Sequence, residues 1–152
     1  MYYSGKQKAH TIRNVLVIDE TTHIHFLSKT YEGRAHDKRI ADEAGYDLPK
    51  GSVLYQDAGF QGFSPDGVCS MQPKKKPKGG VLTDEDKARN RAISSKRVLI
   101  EHVIGHIKRY RIVRDIIRSP YDWFRDKVME TCCGLHNFIV MFKRRSKTCD
   151  KT

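Results

Sequence analysis

Four apolar residues, Ile100, Val103, Ile104 and Ile107, recur at i, i+3, i+4 and i+7 inside the basic stretch KRVLIEHVIGHIKRYRIV. That spacing is one face of an α-helix, and the period-two alternation of a strand does not produce it. This part of the chain must therefore be a helix that buries its stripe on another layer. Its start lies upstream. Thr83 is a suitable N-cap, and Asp84, Glu85 and Asp86 bring negative charge to the first turn. The pattern predicts a helix from Asp84 towards Val113, with Ser94-Ser95 as the point where it would break. A second long helix is expected from Trp123 to Phe142, with Val128, Cys132, Leu135, Ile139 and Phe142 on one side. A shorter one is expected over His36–Ala44, stopping at Gly45.

The remaining apolar segments read as strands. HTIRNVLVI (His10–Ile18) is rich in β-branched residues, and HIHFL (His23–Leu27) alternates. Asp19-Glu20-Thr21-Thr22 between them supplies turn chemistry, so the two should form a hairpin. Ser52–Gln56 is a third strand, expected to be buried, with Asp57 at its carboxyl end. From Gly59 to Gly80 the chain turns to Gly, Pro and Lys, and PKKKPKGG (Pro73–Gly80) has no periodicity, which predicts a mobile loop. Strands interspersed with helices predict the α/β class. Residues 1–142 are expected to form one domain and the basic tail 143–152 to be disordered.

Charge narrows the function. The chain has 152 residues, with 29 Lys and Arg against 18 Asp and Glu, a net charge of +11. That excess favours a polyanionic partner, and nucleic acid above all. A membrane surface is disfavoured, because no segment pairs a basic face with one rich in Trp or Phe. The longest apolar run, Phe138–Phe142, is far too short to span a bilayer, and the first twenty residues hold no signal-peptide core. An intracellular protein is expected. Cys132 and Cys133 sit next to each other on an apolar helical stretch and read as small core residues. A zinc site with His136 would need a CxxC pair, which the sequence lacks.

Two isolated acids carry the sharpest chemical signal. Asp57 follows the apolar run Val53-Leu54-Tyr55, and metals and ligands gather outside strand carboxyl ends in α/β sheets. Glu101 shares a helix face with Gly105 and Lys108, an arrangement that lets a phosphate backbone approach closely. Two-metal phosphoryl-transfer sites are assembled from such separated carboxylates. An exposed Glu on a charged helix has the same spacing, so spacing alone does not decide between the two.

Several strings together resemble a known family. YYSGKQKAHTIRN, GRAHDKRIADE, LYQDAGFQGF, PKKKPKGG, NRAISSKRVLIEHVIGHIKRYRIVRD and METCCGLHNF are similar, in that order, to motifs of the DDE-superfamily transposases of bacterial insertion sequences. The similarity runs from about Tyr2 to Phe142. It implies a ribonuclease H-like core, a mixed sheet with flanking helices, and an Asp, Asp, Glu triad that holds two divalent ions, Mg²⁺ or also Mn²⁺. By motif, Asp57 matches the second aspartate and Glu101 the glutamate, as catalytic and metal-binding residues. Lys6, Lys8, Lys74, Lys75, Lys76, Lys78, Lys108, Arg109 and Arg111 are expected to contact DNA, both transposon ends and target.

In the family the first aspartate lies upstream of the YSGKK-type motif, on a central strand. Met1-Tyr2-Tyr3-Ser4-Gly5-Lys6 already lies inside that motif, so the resemblance implies an N-terminally truncated core. Asp19 and Asp37 are the acids that would have to substitute. Without the first strand, the polypeptide alone is expected to be inactive and prone to aggregate, and an upstream transposase segment or another protomer is an expected partner. A cytoplasmic, nucleoid-associated bacterial protein follows from the resemblance. The competing readings are a non-catalytic DNA-binding regulator of transposition and, ranked last, a basic RNA-binding protein.

Overall fold

The computed structural model describes residues 3–4, 9–10, 12–114, 119 and 121–149. The elements in chain order are β1 (Tyr3–Ser4), β2 (Ala9–His10), β3 (Ile12–Arg13), β4 (Leu16–Ile18), β5 (Ile24–Leu27), β6 (Tyr31–Glu32), α1 (Asp37–Ala44), β7 (Val53–Tyr55), β8 (Cys69–Met71), α2 (Asp84–Ile107), α3 (Arg111–Arg114) and α4 (Asp122–Cys149), with a 3-10 turn at Ala58–Phe60. Helices and small sheets together make the chain α/β, and among the described residues the strands form two-stranded pairs. The chain divides into two compact units. One is Met1–Thr11 with Glu32–Val98, and the other is Ile12–Tyr31 with Leu99–Thr152.

In the first unit, β1 pairs antiparallel with β2, Tyr3 opposite His10. Further on, α1 ends at Gly45, whose φ of 56° is the left-handed cap that glycine reaches without strain. Ile40 and Ala41 on α1 are completely buried, and Val68 and Ile93 join them as buried apolar residues of this unit. β7 pairs in parallel with β8, Val53 opposite Cys69 and Tyr55 opposite Met71. Parallel pairing needs a connection that crosses over, and the stretch between Gln56 and Val68 is that connection. Two expectations change here. The loop from Gly59 to Gly80 contains a strand, β8, whose residues Cys-Ser-Met carry no β signal of their own. The expected burial of the third strand is not realised, since Val53 is 50% and Tyr55 40% exposed.

The second unit contains the expected hairpin. β4 pairs antiparallel with β5, Leu16 opposite Leu27, with a register shift between Val17 and Ile18. The single strand expected over His10–Ile18 is divided, with Thr11 outside the described residues. At the break, Asn14 turns its side-chain amide to Ser28 O and Thr30 Oγ1, and a side chain that bonds backbone in this way competes with a continuous ladder. The core combines Ile24 of β5, Val103 and Ile107 of α2, and Val128, Met129, Cys132 and Cys133 of α4. Burial pushes the Cys133 thiol up to about 11, in keeping with an inert core cysteine.

The helices also depart from their predicted limits. α2 runs unbroken through Ser94-Ser95, where Ser95 Oγ donates to Ala92 O at 2.8 Å instead of ending the helix. It stops at Ile107, and α3 resumes after a turn at Lys108–Tyr110. α4 continues to Cys149, seven residues into the segment read as a disordered tail. Lys and Arg are good helix formers, so the helix outlasts its apolar period. Its expected stripe is only half buried. Val128 and Cys132 are inside, but Leu135, Ile139 and Phe142 are 45%, 44% and 66% exposed.

Candidate metal and nucleic-acid site

Asp57 stands where β7 ends, and its side chain is part of the reason the strand ends there. Oδ1 accepts a hydrogen bond from Ala58 N at 2.6 Å, which caps the 3-10 turn Ala58–Phe60. Oδ2 lies 3.3 Å from the guanidinium of Arg97 on α2. The carboxylate is thus held at both oxygens yet remains 54% exposed, while Arg97 is 25% exposed. The residue before it, Gln56, is buried, and its Oε1 accepts from Gln72 Nε2, which also donates to Phe60 O at 2.9 Å. These bonds fix the turn that presents Asp57. Gly59 has a steric duty in the same turn, since a Cβ there would collide with the Asp37 carboxylate. Asp37, from the HD motif, therefore leans on the turn that Asp57 caps.

Asp19 has a different task, in the second unit. Its Oδ1 accepts from Thr21 N at 2.8 Å, Thr21 Oγ1 at 2.6 Å and His23 N at 3.0 Å, and its Oδ2 meets His25 Nε2 at 3.0 Å. Burial would raise its pKa. The bonds from Thr21, His25 and the backbone of His23 and Thr21 outweigh that and hold the carboxyl well below the ordinary value. Asp19 is the buttress of the β4–β5 turn. His136 and Asn137 on α4 are occupied with backbone of the same unit: His136 Nε2 meets Thr22 O at 2.9 Å, and Asn137 exchanges two 2.8 Å bonds with the backbone of Ile24.

Glu101 lies on α2 in the second unit and is exposed, as are Gly105 and Lys108. Lys108 and Arg109 do not continue the helix. They form its closing turn, with Lys108 N donating to Ile104 O and Arg109 N to His106 O. Both side chains are exposed, and Arg111 is exposed at the start of α3. Burial, followed by the charges of Arg109, His136, Lys143 and His102, lowers the pKa of His106 on the same stretch, so this end of α2 disfavours further positive charge unless an anion is near.

The lysine loop is less free than its composition implies. Lys74 N donates to Asn90 Oδ1 at 2.9 Å, Asn90 Nδ2 donates to Lys74 O at 3.0 Å, and Lys74 Nζ is 2.8 Å from Asp86 Oδ2. Lys75, Lys76 and Lys78 are exposed. Lys6 and Lys8 lie outside the described residues. Sequence reasoning missed Arg97, Asn90 and Asp86. Arg97 had a legible signal, since it stands four residues before Glu101 and so on the same helix face.

Carboxylate oxygens at Asp57 and Glu101 are the donor type a hard divalent ion prefers, so the residues fit such an ion in kind. Among the described residues no three His, Cys, Asp or Glu side chains form a metal-holding group, and no helix is long and apolar enough to cross a membrane. Residues 1–137 match the model of the DDE superfamily endonucleases, and the chain belongs to that family. It is also similar to a protein of Microchaete diplosiphon described as a probable transposase for insertion sequence element IS702. The two are 30% identical over 142 residues, which is 93% of this chain and 51% of the relative. The chain thus spans about half the length of the curated relative it matches. No solved structure matches it.

Proposed function

We propose that this chain supplies part of the catalytic core of an insertion-element transposase, of ribonuclease H-like architecture, that cuts DNA at element ends and joins 3′-hydroxyls to target DNA in the bacterial cytoplasm. The observation that carries the proposal is Asp57, an exposed carboxylate at the carboxyl end of a parallel strand, with both oxygens held by Ala58 N and Arg97. Asp57 and Glu101 would hold Mg²⁺ or Mn²⁺. When bound, the ions would activate the attacking oxygen and steady the leaving oxygen. Asp57 is kept in one orientation by its own turn, so little side-chain freedom is lost when it takes a ligand. Arg97 keeps a positive charge beside that carboxylate, where a scissile phosphate would arrive. Lys108, Arg109 and Arg111 would contact the DNA backbone.

Metal binding tests this on the chain itself. Mn²⁺ titration followed by electron paramagnetic resonance should detect a site that Asp57→Asn and Glu101→Gln each weaken tenfold or more. Equal Mn²⁺ affinity in all three proteins would overturn the assignment of these carboxylates. A second reading, a regulator that binds DNA without cutting it, draws on the exposed Lys75, Lys76 and Lys78, which need neither acid. It predicts that Asp57→Ala leaves every activity of the protein intact.

A further inference from the structure

The segment Pro73–Gly80 is fastened at both ends. At its start, Asn90 of α2 makes two hydrogen bonds to the backbone of Lys74, one donated and one accepted. Lys74 adds a third tie through its ammonium to Asp86, whose side chain is only 17% exposed. At the far end, Gly80 N donates to Pro77 O at 3.1 Å, and Gly79 takes a φ of 80°. A positive φ at the third residue is the mark of a type II turn, and glycine adopts it without strain. A Cβ on Gly80 would also strike the Pro77 ring. Thr83 then caps α2, its Oγ1 accepting from Asp86 N at 3.1 Å. Between the clamp and the turn stand Lys75 and Lys76, and Lys78 sits on the turn itself. All three are exposed.

We infer that Asn90 and Asp86 are positioning residues for a phosphate-contacting arm, and that Lys74 belongs to the clamp while Lys75, Lys76 and Lys78 bind the backbone of duplex DNA. The inference rests on the proposed DNA-handling role and adds to it the division of labour among the four lysines. A lysine run in a free loop must lose backbone and side-chain freedom when it meets a phosphate row. A run already tied to a helix has lost most of the backbone part beforehand, so more of its electrostatic gain remains as affinity. The arm has no aromatic or Arg residue, so its contacts position the duplex and do not read bases.

A double-mutant cycle on the full chain tests this, with affinity for a random-sequence duplex measured across a salt series. Lys75→Ala/Lys76→Ala/Lys78→Ala should flatten the slope of log K against log salt by about two to three, from roughly 0.9 per phosphate contact. Asn90→Ala should weaken binding about three- to tenfold in the wild-type background and have no effect in the triple-alanine background. Equal loss in both backgrounds would mean that Asn90 supports the fold generally, which overturns the positioning role. Amide exchange of residues 73–80 without DNA separates the clamp from the DNA contact. Faster exchange in Asn90→Ala with an unchanged salt slope in the triple variant would keep the clamp and sink the DNA arm. Unchanged exchange would sink the clamp. Should Asn90→Ala fold poorly, Asn90→Asp keeps the acceptor for Lys74 N, loses the donor, and should fall between the two.

Discussion

Asp57 and Asp19 are both acids at the end of an apolar strand, and their surroundings give them different work. Asp57 shares its oxygens between one backbone amide and one guanidinium and still faces solvent. Asp19 is absorbed by its own turn, with four hydrogen bonds to three residues of the hairpin, Thr21, His23 and His25. Three donors converge on Oδ1 of Asp19, so the carboxylate braces the turn that joins β4 to β5. Its role is measurable. Because its folded pKa lies below the ordinary 3.8, it contributes stability that is present above that value and fades as pH falls below it. Asp19→Ala should lower stability at neutral pH by about 1–2 kcal/mol, discounted for partial exposure, and should lose less on acidification than the parent. Urea midpoints at pH 7 and pH 3 check both. An unchanged midpoint at pH 7 would remove the buttress role.

At the scale of the element, the helices show where periodicity informs and where it misleads. The stripe on α2 is real at Val103 and Ile107, which are 1% and 2% exposed. Along α4 the buried line runs through Val128, Met129, Cys132, Cys133 and His136, so the helix is rotated relative to the stripe that its large apolar residues predict. Leu135, Phe138, Ile139 and Phe142 are left facing out. Periodicity counts apolar residues without regard to which neighbour exists to cover them. Here the small cysteines face the sheet, because α4 approaches β5 closely enough for Asn137 to bond both backbone groups of Ile24. The consequence for stability is specific. Val103→Ala should cost about 2–3 kcal/mol as a core truncation. Phe142→Ala should change stability by less than about 0.5 kcal/mol, as for a surface substitution. Thermal unfolding of the two variants tests the contrast, and a larger loss from Phe142 would mean that α4 is turned the other way.

For the whole molecule the governing quantity is the net charge of +11. Within each unit it acts as self-repulsion, which salt screens, and towards DNA it acts as attraction, which salt also screens. Raising salt from 50 to 300 mM should therefore move two observables in opposite directions. Tm should rise by a few degrees, while affinity for duplex DNA should fall by several orders of magnitude. Affinity insensitive to salt would contradict phosphate contact by the exposed lysines and arginines. The ion pairs that the basic residues make locally, Lys38–Asp42, Arg39–Glu43 and Lys127–Glu130, are exposed, so they offset little of this repulsion.

Local rules in the sequence determined much of this protein. The apolar spacing of α2, the turn residues Asp19–Thr22 and the Gly45 stop each act within a few residues of themselves, so helix, hairpin and cap could be read directly. Asp57 at the end of an apolar run and the ordered motifs that mark the DDE superfamily were legible for the same reason. Only the tertiary structure decided which long-range partners those pieces would find. β8 exists because Cys69–Met71 meets β7. Lys74 is a clamp and not a free cation because Asn90 and Asp86 reach it from another element. Arg97 matters because its guanidinium falls on Asp57. Each depends on segments far apart in the chain meeting at hydrogen-bond distance, and such meetings are set by the loop closure and packing of the whole chain rather than by any local period.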